Sequence, residues 1–522
     1  MLGRTIAVMF ASCLCLAGQT DAKPGHQHKK HSIELDLKGA VALGEGVAEI
    51  SAFDPYSKRL FIIDGSSVLK VVDLSDPSAP VELPGEAIDV AADILADIGL
   101  AAGDANSVAV KYGIVAVAIA ADPVTDDGFV AFYDTDGTYK YSCRVGALPD
   151  MLTFTPDGRK ILVANEGEPE NDIDPVGSVS VIDVHKLRRK KNCDHPHAVR
   201  TAGFEAFDGH EDALRDKGVR LFAGKTVSED VEPEYIAVSR NGRYAWVTLQ
   251  EANSMALLNV RSARILKILP LGLKNHARPG NGLDASDKDD EINIRNWPVF
   301  GMYMPDAIAS FDVRGRTYLV TANEGDDRGE DERIEDLDLD PTAFPDAADL
   351  QDEMALGRLG VSTVDGDTDG DGDYDKLFSY GARSFTVWNG YGRKVYDSGD
   401  FIGRKTAELT PGLFNANDGD PGEFDNRSDN KGAEPEGAAT GEVYGRPYAF
   451  IGLERGPGGV MVFDVSRPGK PKFIDYVRRD EDVSPEGLLF IDAKDSPSRK
   501  PLLVVSHEIS GTLVVYEISR KH

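Results

Sequence analysis

Five times along the chain a proline-acid pair opens a strand-like run: Pro149-Asp150, Pro233-Glu234, Pro305-Asp306, Pro435-Glu436 and Pro485-Glu486. Each is followed, sixteen to twenty-two residues later, by a second acid: Glu166, Glu251, Glu324, Glu454 and Glu508. Glu49 and Asp64 form a sixth pair, and Asn106 takes the opening place of a seventh unit that has no closing acid. Carboxylates brought together repel unless cations or arginines compensate. Hard cations such as calcium take about six to eight oxygen ligands, so a ring of these acids has the chemistry of a cation or polar-ligand site. Acids that cap strand ends through backbone amides fit the same spacing, so a bracing role stands beside the binding one.

A second constellation is local. In DGDTDGDGDYD, Asp367, Asp369 and Asp371 followed by Gly372 match the opening of a calcium loop, with Asp373 and Asp375 at later ligand positions. Phe378 stands where a bidentate glutamate closes an EF-hand, and the flanks read as strand. The expectation is a calcium loop outside any helix-loop-helix. Arg328, Arg383, Arg427 and Arg455 lie near these motifs as ion-pair partners, and Arg383 and Arg427 are candidates to clamp an anion bidentately. The acidic stretches 284–291 and 417–430 are less regular and read as solvated. His26, His28 and His31 read as part of a flexible N-terminal segment rather than a transition-metal site, and Leu187 to Lys191 as an exposed loop rather than a sulfated-glycan contact. Asn426-Arg427-Ser428 is a glycosylation sequon. No G-x-S-x-G, H-E-x-x-H, P-loop or paired C-x-x-C is present, so nothing marks a serine hydrolase, zinc protease or nucleotide enzyme.

The elements that must position these acids repeat with them. Between opening and closing acid lie two apolar strand-like runs and a Gly-bearing turn, as in DMLTFTPDGRKILVANE. Units begin near residues 49, 106, 150, 234, 306, 436 and 486, and most continue with a third and fourth strand. Four strands per unit predicts an all-β, seven-bladed β-propeller. The last unit has three strands, and SIELDLKG (32–39) is expected to supply its fourth, closing the ring and removing a sheet edge. Two packed sandwiches are the alternative. Long insertions fall at 202–231, 272–304, 325–375 and 400–434 within a single domain spanning 32–518. Three of them precede proline-acid openings and are expected to crowd one face. The start of a first strand and the end of its antiparallel second strand meet at that face, so the acids should form two layers around one channel mouth.

Composition sets the surroundings. The 522 residues carry a formal net charge of −31, which makes nucleic acid and anionic membrane poor partners and favours cations, mineral surfaces and basic or glycan-bearing matrix components. Arg4, the apolar run Ile6 to Gly18 and the small residues near Ala22 read as a secretory signal, residues 1–22, followed by a flexible tail, 23–31. The run is too short for a membrane span, and the C-terminus lacks the pattern of a lipid-anchor signal, so a soluble, secreted product is expected. Beyond that segment only Cys143 and Cys193 remain, and a disulfide between them is expected.

The stretches EPEYIAVS, GNGLDASDKDDEINI, WPVFGMYMPDAIASF, YLVTANEGD, GDTDGDGDYD, RSFTVWN, RSDNKGAEPEG and SPEGLLFI resemble the choice-of-anchor I group, over about residues 36–518. That group includes the mesenchyme-specific cell surface glycoproteins. The resemblance implies a propeller of the YVTN or quinoprotein-dehydrogenase-like type, and an extracellular protein linked with calcified matrices. Some bacterial relatives carry an alkaline phosphatase label, but no catalytic residues transfer. Two functions follow: a secreted, calcium-binding propeller of matrix or mineral, or a calcium-dependent phosphoesterase with its site at the acidic channel mouth.

Overall fold

A computed structural model of the protein describes residues 32–44, 46, 48–190, 193 and 197–521. The expected leader and tail, with His26, His28 and His31, lie outside the described residues, as does Lys191. Leu187 is buried in a short helix, Val184–Lys190, and packs into an apolar cluster.

Apolar runs without alternation form strands buried on both faces, as a neighbouring sheet packed on each side requires. Lys160–Asn165 and Leu502–His507 are of this kind, with every residue of the latter buried. Outer strands such as Arg264–Pro270 bury only scattered residues. These runs assemble into antiparallel sheets in chain order. The first holds Ser51–Asp54, Arg59–Ile63 and Val68–Asp73, with Val81–Glu82 and Ile88–Asp89 both on its outer strand. The second runs from Ala102–Lys111 to Tyr139–Ala147, the third from Pro149–Phe154 to Val199–Gly203, and the fourth from Pro233–Val238 to Arg264–Pro270. The fifth joins Ile308–Val313, Arg316–Asn323, Ser384–Asn389 and Lys394–Asp397 across a long insertion, and the sixth runs from Pro435–Val443 to Lys472–Val477. In the seventh, Pro485–Ile491, Leu502–His507 and Thr512–Arg520 are joined by Ile33–Ala42, which pairs antiparallel with Thr512–Arg520.

Apolar clusters lie between successive sheets. Val117 and Ile119 of the second sheet meet Phe61 and Ile63 of the first, and Leu60 and Ile62 of the first meet Val504 and Val515 of the seventh. The first strands of neighbouring sheets are in contact throughout. This is an all-β fold of the β-propeller type, built from four-stranded meanders set side by side.

The insertions are not bare loops. Leu273–Asn275, Phe300–Met302 and Phe378–Ser379 form one small sheet, and Asp331–Arg333 with Gly360–Ser362 another. Trp297, Leu337, Phe344, Leu356, Leu359 and Leu377 make a separate apolar core among them. Ion pairs interlock all four insertions: Arg220 with Glu330 and Asp365, Arg358 with Asp287, and both Arg333 and Arg358 with Asp429. Cys143 and Cys193 form a disulfide across a sequence separation of 50.

Candidate functional site: an acid-lined channel mouth

The proline-acid pairs mark a shared backbone device. Pro149, Pro233, Pro435 and Pro485 each pair with the end of the second strand, and the register then slips, so the acid that follows sits in a bulge. The residue before proline normally stays extended. Here Leu148, Met304, Glu434 and Ser484 have left-handed backbones, with φ of 44°, 37°, 43° and 61°. Their carbonyls accept backbone N–H groups at the end of the second strand: Glu166 to Leu148 (2.8 Å), Glu454 to Glu434 (2.9 Å), Glu508 to Ser484 (2.9 Å) and Gly325 to Met304 (3.0 Å). A strained conformation repeated four times, always beside the acids, points to a site that the fold works to hold.

Packing between first strands is close enough to require glycine. A β-carbon at Gly437 falls 2.5 Å from the Glu486 carbonyl oxygen, and one at Gly487 falls 2.1 Å from that of Glu49. Gly487→Ala is expected to destabilise the protein by about 1–3 kcal/mol, through overpacking, in chemical denaturation. A change within error would show that the strands are freer than this.

The result is a cavity of about 390 Å³ lined by Asn106, Asp150, Glu234, Asp306, Glu436 and Glu486, together with Glu166, Glu251 and Glu324. Deeper along the same strands the lining turns to Ala52, Val108, Leu152 and Leu489, so the ring of acids that open the strands stays at this end. Burial pushes Glu49 and Asp150 up to about 7, and Glu251 and Glu454 up to about 8. Glu166, Glu234, Asp306, Glu436 and Glu486 are raised well above the ordinary carboxyl range by burial first and by neighbouring acids second. The neighbours acting on Glu234 are Glu251, Glu166, Asp306 and Asp150, which lie in or beside the strands of three adjacent sheets, the third, fourth and fifth.

Part of this charge is compensated. Arg328 lines the cavity and holds Asp230 (2.9 Å) and Glu232 (2.7 Å), with Glu251 at 3.9 Å. Lys431 meets Glu324 at 2.8 Å, and Gln250 donates to the other oxygen of Glu324 at 3.1 Å. Arg455 pairs with Glu454 at 2.8 Å and Asp418 at 2.5 Å. Oxygens are nonetheless left over. Glu251 Oε2 and Glu436 Oε2 are buried without a hydrogen-bond partner, as is Glu232 Oε1. A calcium ion fits such a donor set, which is all oxygen and partly unsatisfied.

At the rim between the first and seventh sheets, Glu508 and Asp64 add to the upward push that burial gives Glu49. The arginines expected as an anion clamp stand elsewhere. Arg383 donates to the carbonyls of Asp284 (2.5 Å) and Ser428 (2.8 Å) and to that of Asn430, because insertion backbone surrounds it; burial lowers it to about 10. Arg427 is taken up by Glu434. Arg328 is the arginine at the cavity wall. Glu232 and Glu434, each just before a proline-acid pair and each bound to arginine, were missed; the repeated Glu-Pro-Glu at 232–234 and 434–436 is the signal that could have found them.

In the aspartate loop, Asp367, Asp369 and Asp375 bring carboxylate oxygens within 4.8 Å of one another, at the surface. Asp367 is oriented by the backbone N–H groups of Gly370 (2.6 Å) and Gly372 (3.1 Å), and Asp375 by Thr368. Asp371 and Asp373 are not part of that group. The side chain of Asn426 is exposed, as a glycan attachment requires.

Fold and site together define an acid-lined β-propeller. The chain belongs to the choice-of-anchor I family, whose domain model matches residues 49–468. It is 26% identical over 338 residues to the mesenchyme-specific cell surface glycoprotein of Strongylocentrotus purpuratus, covering 56% of this chain and 41% of that protein. It is 28% identical over 191 residues to gigasin-3a of Magallana gigas, covering 32% of this chain and 66% of that one. The chain thus spans less than two thirds of the length of either relative. Among solved structures, the β-propeller domain of Cps50 (Swd1) from Myceliophteria thermophila aligns with 93% of this chain and 100% of that one, at 8% identity and a TM-score of 0.45. No helix among the described residues is long and apolar enough to cross a membrane.

Proposed function

We propose that the seven large sheets are the blades of one ring, fastened where Ile33–Ala42 pairs with Thr512–Arg520, and that the protein is a secreted, extracellular calcium-binding propeller of a matrix or mineralising surface. One observation carries the reading: carboxyls from separate sheets converge at a buried mouth, and some of their oxygens have no hydrogen-bond partner. Glu234, Glu251, Asp306 and Glu436 would hold the cation there, with Asp367, Asp369 and Asp375 as an exposed second site. The net charge of −31, the leader-like N-terminus, the Cys143–Cys193 disulfide and the surface-glycoprotein relative support an extracellular setting. Calcium, mineral faces, matrix proteins and glycans are the matching partners.

A phosphoesterase reading draws on Arg328, which sets a guanidinium beside the carboxylates, where a cation and an arginine together would bind a phosphate ester. One experiment addresses both. Calorimetric titration of the secreted chain with calcium should give more than one equivalent bound, a raised melting temperature, and weaker binding in Glu234→Gln and Glu436→Gln. Absence of binding and of any melting shift sinks the calcium reading. A parallel phosphate-ester screen favours hydrolysis only if turnover needs calcium and is lost in Glu234→Gln.

A further inference from the structure

Away from the channel, two acidic stretches that read as solvated come together inside the insertions. Asp284 and Asp289 belong to 272–304, and Asp425 to 400–434; each offers a carboxylate oxygen, and these oxygens lie within 4.8 Å of one another. Asp284 is 2% exposed and Asp425 1%. Asp284 Oδ1 and Asp425 Oδ2 are buried and have no hydrogen-bond partner. The other oxygen of each is held in place: the Asn293 N–H donates to Asp284 Oδ2, and the Ser428 hydroxyl to Asp425 Oδ1. Asn293 Nδ2 donates to Asp289 Oδ2 at 2.9 Å, and Glu291 N to its Oδ1 at 3.0 Å. Ser428 is itself fixed by Asn415 Nδ2 at 2.7 Å. Each buried carboxylate is therefore steered by one oxygen while its second is left for the shared space.

The cations nearby do not fill that space. Arg383 donates to the Asp284 carbonyl rather than its carboxylate, Lys288 pairs with Asp287, and Arg427 with Glu434. Among the described residues, no ion pair reaches Asp284, Asp289 or Asp425. Two orphaned carboxylate oxygens in a dry setting demand a counter-charge. The geometry points to a hard divalent cation of calcium size, bound by Asp284, Asp289 and Asp425 and stapling insertion 272–304 to insertion 400–434. Calcium–oxygen bonds of about 2.3–2.6 Å place opposite ligands about 5 Å apart, matching the spread of these oxygens. The all-carboxylate set disfavours zinc or copper, which prefer nitrogen and sulfur. A cavity of about 30 Å³ bordered by Asp284 and Asn415 adjoins the cluster and has room for one water as a further ligand. This site stands on its own residues and does not depend on what the channel binds.

The test uses the full chain carrying Asp367→Asn and Asp369→Asn, so that the exposed loop is silent. Calcium is titrated by calorimetry with and without Asp425→Asn, and melting is followed in calcium and in chelator. Asp425→Asn should remove one bound equivalent and shrink the calcium-induced melting shift, while in chelator it melts at or above its parent because a repulsion is gone. An unchanged number of equivalents and an unchanged shift overturn the site and leave a proton shared among the three carboxyls. Should Asp425→Asn fail to fold, the half-buried Asp289→Asn must weaken the same equivalent about tenfold or more. Anomalous scattering from manganese-soaked crystals of the unmutated chain decides independently: a peak among the three carboxylates supports the site, and an empty cluster at saturating metal overturns it.

Discussion

In chelator, the protein is expected to melt about 5 °C lower at pH 8 than at pH 6.5, and saturating calcium should abolish the difference. The sign follows from the channel carboxyls. Glu49, Asp150, Glu251 and Glu454 are lifted from ordinary values of 4.5 or 3.8 to about 7 or 8 in the fold. The folded state therefore holds protons that the unfolded chain has released, and the stability this confers is present at low pH and lost as pH rises through 7 to 8. Two buried histidines oppose the trend lower down. His276 is held well below its usual value and His507 at about 4, both by burial, so their contribution falls away only below about pH 6.5. Above that, the carboxyls dominate. Each pKa unit is worth about 1.36 kcal/mol, and sharing of protons within the ring reduces the whole to on the order of 5 kcal/mol. Calcium needs the ionised form, so its binding strengthens as pH rises and should cancel the slope. Differential scanning calorimetry across pH, with and without calcium, measures this; a flat profile in chelator would show that cations are not needed to hold the mouth together.

Arg328→Ala should lower stability by about 3–5 kcal/mol, the largest loss expected of any single charged residue here. Its guanidinium serves Asp230, Glu232 and Glu251, whose side chains are 1%, 3% and 6% exposed, and it lies 5.0 Å over the Phe222 ring. Removing it leaves buried carboxylates with no counter-charge, a penalty that exceeds the worth of the pairs themselves. Arg328→Lys keeps a point charge and loses the planar fork, so about half the deficit should remain. At pH 5 the deficit of Arg328→Ala should shrink, because the freed carboxyls take up protons. Denaturant midpoints at the two pH values test this. Equal losses at both would mean that Arg328 acts by packing on Phe222 rather than through its charge.

The strands were legible because their apolar runs, Gly-bearing turns and proline-acid openings are local and recur. The channel mouth was legible for a related reason: antiparallel polarity fixes where Asp150 and Glu166 meet without any knowledge of side chains. Arginine partners were not, since a long side chain chooses among acids that only tertiary packing brings near. Arg383 faces carbonyls of Asp284, Ser428 and Asn430, which no motif announces. The insertion core escaped notice because Trp297, Leu337, Phe344 and Leu356 are scattered among Asp, Gly and Pro with neither a two-fold nor a 3.6-residue period. The carboxylates of Asp284 and Asp425 looked solvated for a related reason: they come together only through the packing of two insertions remote in sequence.

The seventh sheet has a consequence in time. Ser519 bonds to Glu34 across 485 positions of sequence, and every rung between Ile33–Ala42 and Thr512–Arg520 is as remote. During synthesis, the early strand must wait, unpaired, until nearly the whole chain has left the ribosome. Such contacts come late and slowly, since the chain must be brought together before they repay the ordering. A nascent protein of this kind exposes a β edge for tens of seconds at ordinary elongation rates, about 5–20 residues per second. The same clasp that later hides that edge therefore leaves it open to mispairing through most of synthesis.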